Sequence, residues 1–354
     1  MSRREQLRVL VADASIAGPT AAYWLANAGA RVPIVERFPH LHTNGQNVDI
    51  RTVGVSVMCK MPGFEAAVRS KTVPMDGISF VDTRGRPYAT IGASGNPDQQ
   101  SLVSEYEILR GDLARILFDM TEPNPNITYV FGEQIASLSP TPPPFLEYDL
   151  VLAADGAGSR TRALALGCSP RDHARSLYFR IPRDLLAGSR TAQAFNARGG
   201  RPLPRWRRCG RRRWRWRWRG AGWRWWARRR RVRVRGDGDG LGTSLALAGA
   251  YVLAGEVARR AGEGEGEGAV DVEGALRAYE ERMWRLVAEK NHREPKLVHD
   301  LLMLMPQTAL GLWLRNRMLS FLSRSGLLGL GRISSAGAFR KGGEATLPDY
   351  EWVL

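Results

Sequence analysis

The stretch from Arg8 to Arg37 constrains the fold of this chain more than any other part of it. It opens with a short apolar run, residues 9–12, which predicts a buried parallel strand. A tight turn follows, and a helix is predicted from Pro19 to Ala28, because proline suits a first helical turn and a glycine follows the last residue. A second strand is predicted from Arg31 to Val35, ending in Glu36. The pattern predicts a βαβ unit with an acid at the tip of its second strand, which is the layout of a dinucleotide-binding fold.

The turn between the first strand and the helix reads Asp-Ala-Ser-Ile-Ala-Gly, where dinucleotide-binding folds have G-x-G-x-x-G. Gly18 keeps the last glycine, and Ser15 stands for the second, which is a small change. Asp13 stands for the first, and it adds a carboxylate where a pyrophosphate would bind and a Cβ where φ is positive in many such turns. Glu36 is placed to accept hydrogen bonds from an adenosine ribose. We therefore favour nucleotide binding over a purely structural βαβ unit.

Net charge singles out one segment of the chain. The formal charge is +17, and the segment from Arg201 to Arg235 contains 17 Arg, seven Trp and no acid. The rest of the chain has 35 basic and 35 acidic residues, so it has the balance of an ordinary globular protein.

Cysteine and histidine usage predicts neither a disulfide framework nor a metal site. The three cysteines, Cys59, Cys168 and Cys209, are scattered, and the five histidines show no zinc-ligand spacing. No apolar run reaches the length of a membrane span, and the first strand begins too early to leave room for a signal peptide. We therefore expect a cytoplasmic protein without a transmembrane segment.

Apolar patterning predicts further elements along the chain. A strand beginning near Tyr148 ends in Asp155 and Gly156, at the kind of strand end where α/β sheets bind ligands, although a structural Asp-Gly turn is the alternative. Helices are predicted over 64–70, from Tyr106 to near Met120, over 271–290 and over 310–322, and strands over 78–82, 87–91 and 127–131.

Three stretches in this order resemble the FAD-dependent aromatic hydroxylases related to para-hydroxybenzoate hydroxylase: the βαβ unit, residues 110–113 and residues 148–162. Residues 242–256 resemble the helix that lies beside the flavin in that family, and residues 306–352 resemble its closing segment. The resemblance implies an α/β fold with a Rossmann-like, GR2-type FAD-binding domain, a truncated β-sheet substrate domain and a C-terminal helical segment. The predicted FAD-binding domain joins residues 1–165 to 236–354 and includes remnant substrate-domain strands at about 75–105.

The resemblance also implies roles for individual residues. The pyrophosphate would bind at the turn and helix start, the adenosine at the end of the second strand, and the phosphate–ribityl region at the start of a later helix. The cofactor-binding residues implied in this way are Ser15, Ala17, Gly18, Glu36, Arg37, Arg110, Asp155, Gly156, Asp237 (with Asp239 as an alternative), Gly242 and Thr243. Gln46, Asp49 and Arg51 would lie at the flavin edge or the substrate.

The implied activity is that of a FAD-dependent monooxygenase, which uses NAD(P)H and O2 to hydroxylate an aromatic or polyketide-like small molecule. The flavin supplies the chemistry, so the sequence needs no catalytic acid–base pair, and we assign no catalytic residue. We expect this chain to bind FAD poorly and to turn over little, because Asp13 disturbs the turn and the substrate wall is cut short.

Residues 166–235 break the resemblance, and we expect them to be a degenerate and disordered insert. The Arg/Trp-rich part of this insert allows three interpretations. It could bind nucleic acid, since Arg neutralises phosphates and Trp stacks on bases, although a nucleic-acid partner is not favoured. It could bind a membrane surface. It could also be an out-of-frame or intronic translation, because CGG and TGG repeats shifted by one base encode glycine, and this third interpretation is favoured.

Overall fold

The computed structural model describes most of the chain outside the Arg/Trp-rich segment. That segment, Asp237 and Asp239 lie outside the described residues. The described residues are 6–73, 76–82, 85–92, 106–138, 148–156, 158–166, 191–195, 241–260, 263, 270–293, 308–325 and 347–352.

The described residues begin with a strand, a helix and a strand, and the later strands and helices follow in short runs, so the chain has a mixed α/β order. The strands are β1 (Val9–Ala12), β2 (Val32–Glu36), β3 (Asn47–Asp49), β4 (Gly77–Val81), β5 (Pro87–Gly92), β6 (Glu107–Leu109), β7 (Ile127–Phe131), β8 (Leu150–Ala153) and β9 (Thr191–Phe195). The helices are α1 (Ala17–Asn27), α2 (Val53–Lys60), α3 (Phe64–Arg69), α4 (Arg110–Thr121), α5 (Arg160–Leu166), α6 (Leu241–Arg259), α7 (Val272–Arg293) and α8 (Ala309–Arg324).

A parallel sheet carries the βαβ unit predicted from the sequence. Among the described strands its order is β7–β2–β1–β8. Strand β1 lies in the interior of this sheet, and all four of its residues are buried, so both faces of the strand are covered. The apolar run without alternation is explained by that burial. The predicted α/β fold class with a parallel sheet is confirmed.

Helix α1 begins at Ala17, two residues before the predicted start. Pro19 still lies in the first turn, where its missing N–H needs no partner. The predicted stop is confirmed, since Gly29 has a φ of +102° and donates its N–H to the carbonyl oxygen of Ala26.

The predicted helix start at Tyr106 is wrong. Residues 107–109 form β6, which pairs antiparallel with β3 in the register Val48↔Ile108, and α4 begins only at Arg110. Helix α2 was also not predicted. Ile108 is fully buried in this ladder, and partners that are distant in sequence therefore decide the conformation of the segment.

The predicted hairpin at 78–91 is confirmed, since β4 and β5 pair antiparallel. Strand β9 extends this second sheet by pairing parallel with β4, and α8 packs on β5. The backbone N–H of Thr90 in β5 donates a hydrogen bond to the Ser323 hydroxyl in α8 at 3.1 Å. The assignment of these strands to a substrate domain stays a prediction.

Helix α6 packs on α1, α2 and α7, and it joins the later part of the chain to the βαβ unit. The segment 347–352 closes over it. Trp352 stacks on Trp24 of α1 with ring centroids 4.5 Å apart, and the Tyr251 hydroxyl donates to the carbonyl oxygen of Pro348 at 2.7 Å. Within the described residues, no helix is both long and apolar enough to cross a bilayer.

Gly255 of α6 lies directly against the closing segment. A Cβ at this position would lie 2.1 Å from the ring of Tyr350. We therefore expect Gly255→Ala to lower the free energy of unfolding by about 1–3 kcal/mol, measured by urea denaturation. Gly242→Ala in the same helix is the matched control, because its added Cβ meets no atom within 4 Å. Equal stability of the two variants would contradict this packing.

Candidate functional site

The carboxyl ends of three neighbouring strands meet at one edge of the parallel sheet. Ala12 at the end of β1 pairs with Val35 of β2 and with Ala153 of β8. Asp13, Glu36 and Asp155 follow within two residues of those positions. This edge is where open α/β sheets bind their ligands.

The turn from β1 to α1 is tight because helix and strand touch at Gly18. A Cβ on Gly18 would lie 2.0 Å from the carbonyl oxygen of Asp13, so only glycine fits there. Asp13 itself has a φ of +92°, which is the backbone conformation expected of the first glycine of the motif. The turn therefore has the positive φ and the close glycine contact expected of the motif, with an aspartate at its first position.

Glu36 is almost fully buried, with 4% of its surface exposed. Its carboxylate accepts hydrogen bonds from the N–H of Ala14 in the turn and from the N–H of Phe38, both at 3.0 Å. The acid at the end of β2 is thus fixed against the first residues of the turn. Arg37 is exposed and lies over the ring of Phe38, and its predicted place beside the adenine stays a prediction.

Arg110 reaches the same turn from the start of α4. Its guanidinium donates to the Ser15 hydroxyl at 2.9 Å, and its backbone N–H donates to the carbonyl oxygen of Gln46 at 3.0 Å. A Cβ on Gly111 would lie 1.6 Å from the carbonyl oxygen of Thr43, so this glycine lets α4 start directly against the loop. The predicted pair Ser15 and Arg110 is therefore brought together.

Asp13 has an unusual electrostatic environment. Burial above all, and then the Glu36 carboxylate, raise the pKa of Asp13 from 3.8 to about 6. Asp155 raises this pKa further, whereas the Ser15 N–H and the Arg110 guanidinium lower it. Glu36, Arg110 and Asp155, which come from three different elements, thus surround one side chain.

Asp155 has a structural role as well as its place at the strand end. Its carboxylate accepts from the N–H groups of Arg160 and Thr161 at 2.8 and 3.1 Å and from the Ser159 hydroxyl, so it caps the start of α5. Gly156 has a φ of +74°, as expected for a turn that a glycine makes possible. A cofactor contact by either residue stays a prediction.

The predicted flavin-edge residues are linked to the start of α6. The Arg51 side chain forms an ion pair with Asp49 at 2.9 Å, and the Arg51 backbone N–H donates to the hydroxyl of Ser244 at 2.8 Å. Thr243 is buried and Gly242 is exposed at the first turn of α6. Hydrogen bonds and strand pairing therefore connect Ser15, through the start of α4 and strand β3, to α6.

Sequence reasoning missed Ser244 as a contact of this region. A serine that follows Gly-Thr at the start of an apolar helix is a visible pattern, but its partner lies 193 residues away in the chain. Ala17, also predicted, is the first residue of α1. No cluster able to hold a metal ion occurs among the residues that the structure describes.

The sequence comparisons identify relatives that include flavin- and FAD-dependent monooxygenases. The flavin-dependent monooxygenase eupH of a Phoma species is 37% identical over 196 residues, which are 50% of this chain and 45% of eupH. The FAD-dependent monooxygenase asL4 of Sarocladium schorii is 35% identical over 194 residues, which are 50% of this chain and 44% of asL4. Half of this chain is therefore similar to flavin-dependent monooxygenases. The match spans about half the length of these curated relatives, and no family model matches the chain.

Two solved structures have a fold similar to that of this chain. The tetracycline destructase Tet(51) has a TM-score of 0.55 at 18% identity, covering 98% of this chain and 99% of that one. A variant of HpxO from Klebsiella pneumoniae, complexed with FAD, has a TM-score of 0.54 at 18% identity, covering 93% of this chain and 99% of that one. At such identities the likeness establishes the fold alone. The resemblance predicted from the sequence is confirmed by the curated relatives, which are flavin- and FAD-dependent monooxygenases.

Asp13 should reduce the stability of the folded protein at neutral pH. An acid with a raised pKa binds protons more tightly in the folded state, so its cost is absent below pH 3.8 and complete above about pH 6. We therefore expect Asp13→Gly to raise the free energy of unfolding by about 1–3 kcal/mol near pH 8 and by less near pH 5.

Asp119→Asn is the matched control for urea unfolding at the two pH values, because Asp119 is an exposed acid of α4 paired only loosely with Arg115. A stability gain of Asp13→Gly that is equal at both pH values would show that backbone strain, and not the carboxylate, is responsible.

Proposed function

We propose that this protein is a FAD-dependent monooxygenase that uses NAD(P)H and O2 to hydroxylate an aromatic or polyketide-like small molecule. One observation carries the proposal: Glu36, Arg110 and the turn of β1 and α1 converge in a chain whose matched half is 37% identical to a flavin-dependent monooxygenase. The assignment of FAD to this turn is supported by the backbone around it.

Several features of the described residues support dinucleotide binding, and one opposes it. Gly18 allows the close approach of helix and strand, and the start of α1 directs N–H groups towards the strand end. Arg110 provides a cation beside Ser15, and Glu36 provides an acceptor at the end of β2. Asp13 is the exception, since its carboxylate lies where an anion would bind.

The residues of the chain would bind and orient the cofactor, which supplies the redox chemistry when it is bound. Glu36 would accept from the adenosine ribose, and Ser15 with Arg110 would hold the pyrophosphate. Arg51 and Asp49 form an ion pair, and a hydrogen bond from the Arg51 backbone to Ser244 connects this pair to α6. They would therefore position the edge of the flavin ring and the substrate. Asp155 and Gly156 would contribute at the end of β8.

Nucleic-acid binding through residues 201–235 has no support in the comparisons, whose reported relatives are monooxygenases. The segment itself lies outside the described residues.

Glu36→Gln tests the predicted adenosine contact. Because the amide keeps one acceptor oxygen for the turn but lacks the charge, we expect FAD affinity to fall by about 10–100-fold, measured by quenching of flavin fluorescence. Glu122→Gln, at an exposed position after α4, is the matched control and should bind as the parent does. Unchanged affinity in Glu36→Gln would remove this residue from the cofactor site.

Turnover is tested by oxygen incorporation. With excess FAD, we expect the protein to oxidise NAD(P)H slowly and to transfer oxygen from isotopically labelled O2 to a phenolic or polyketide-like substrate. The Asp13→Gly variant should be faster, since it restores the glycine of the motif. Failure of both FAD-loaded proteins to oxidise NAD(P)H or to incorporate label across such a panel would refute the proposed activity.

A further inference from the structure

The side chain of Asp13 uses a hydrogen-bond donor that a bound anion would need. The Asp13 carboxylate accepts from the backbone N–H of Ser15 at 3.1 Å. Ser15 stands at the second position of the glycine motif, and its N–H belongs to the group of turn amides that bind a pyrophosphate at a helix N-terminus. The hydroxyl of the same Ser15 is bound by Arg110. The carboxylate is thus bound to an amide that a ligand phosphate would otherwise need.

The backbone of the turn fixes Asp13 in this position. Its N–H donates to the carbonyl oxygen of Val35 at 2.9 Å, and its own carbonyl oxygen lies against Gly18. The φ of +92° therefore cannot relax without loss of the contact between helix and strand.

Among the described residues, the charged groups that shift the pKa of Asp13 all belong to the predicted cofactor site. Glu36 faces it from the end of β2, Asp155 from the end of β8, and Arg110 from the start of α4. Glu36 and Asp155 are acids, so an ionised Asp13 adds a third negative charge near the turn. A bound anion would then be strongly repelled.

We propose that the Asp13 carboxylate is an internal competitor of the FAD pyrophosphate, so that FAD binding requires the uptake of one proton at Asp13. This inference rests on the proposed function, because it assigns FAD to the turn. It makes the affinity for the cofactor depend on pH through a single side chain of this chain.

The direction of the dependence follows from the environment of Asp13. Burial and Glu36 raise the pKa of the free protein's Asp13 to about 6, and a bound pyrophosphate would raise it further. Below this pH the Asp13 side chain is mostly neutral, and above it the ionised carboxylate must take up a proton before FAD binds. FAD affinity should therefore fall as the pH rises above about 6, by at most about tenfold per pH unit.

The test is a titration of FAD into the full chain, followed by flavin fluorescence, at about pH 5.5 and about pH 8. We expect the parent protein to lose about 10–100-fold in affinity between these two values. Asp13→Asn, which has no titratable group, and Asp13→Gly should change by less than about threefold. Asp119→Asn, the exposed control on α4, should behave as the parent does.

Calorimetry in buffers of different ionisation enthalpy provides a second measurement. At about pH 7 the parent protein should take up close to one proton for each FAD bound, and Asp13→Asn should take up none. Binding without proton uptake in the parent protein would overturn the inference.

The two proposals fail in different ways. Suppose that Asp13→Gly binds FAD. If the parent protein then binds FAD equally well at both pH values, or at neither, the proton-linked competition is wrong and the cofactor assignment stands. If the parent, Asp13→Asn and Asp13→Gly all fail to bind FAD at both pH values while circular dichroism shows them folded, the cofactor assignment is wrong, and the competition with it.

Discussion

The contact between Gly18 and the carbonyl oxygen of Asp13 determines how closely α1 approaches β1. A Cβ on Gly18 would lie 2.0 Å from that oxygen. Because glycine has none, the helix can begin only a few residues after the strand ends. The N–H of Ala14 then lies within hydrogen-bond distance of Glu36, and the hydroxyl of Ser15 within reach of Arg110. A wider turn would separate the sheet edge from the helix N-terminus, and the residues of the candidate site would no longer face one another.

The same close packing joins segments that are far apart in the sequence. Helix α1 is buried between the parallel sheet and α6, and a Cβ on Gly54 of α2 would lie 2.8 Å from the Cα of Ser244. This approach lets the Ser244 hydroxyl accept from the backbone of Arg51. Small residues at helix contacts therefore position the loop before α2 against the start of α6. Packing creates this placement, and the helix propensity of either segment alone could not.

The sequence predicted those parts of the fold that depend on local pattern. The βαβ unit was found because an apolar run, a proline in the first turn and Gly29 all agree with one another. Strand β6 was mistaken for helix because three residues form a strand only when β3 pairs with them. Glu36 and Asp13 were recognised because the motif is local in the sequence. The contact of Ser244 with Arg51 was not, because tertiary packing creates it.

Asp13 is an example of a residue that preserves the shape of a turn and changes its affinity for an anion. Aspartate tolerates a positive φ better than most residues, because its short side chain bonds to nearby backbone, and here it accepts from Ser15. The turn therefore keeps its shape, and the likeness to solved FAD-binding folds persists. The free energy of binding an anion is nevertheless sensitive to one added charge among Glu36, Asp155 and Arg110. A single side chain can thus change the affinity of a site whose backbone is intact, which is why the fold alone does not determine how tightly this turn binds a dinucleotide.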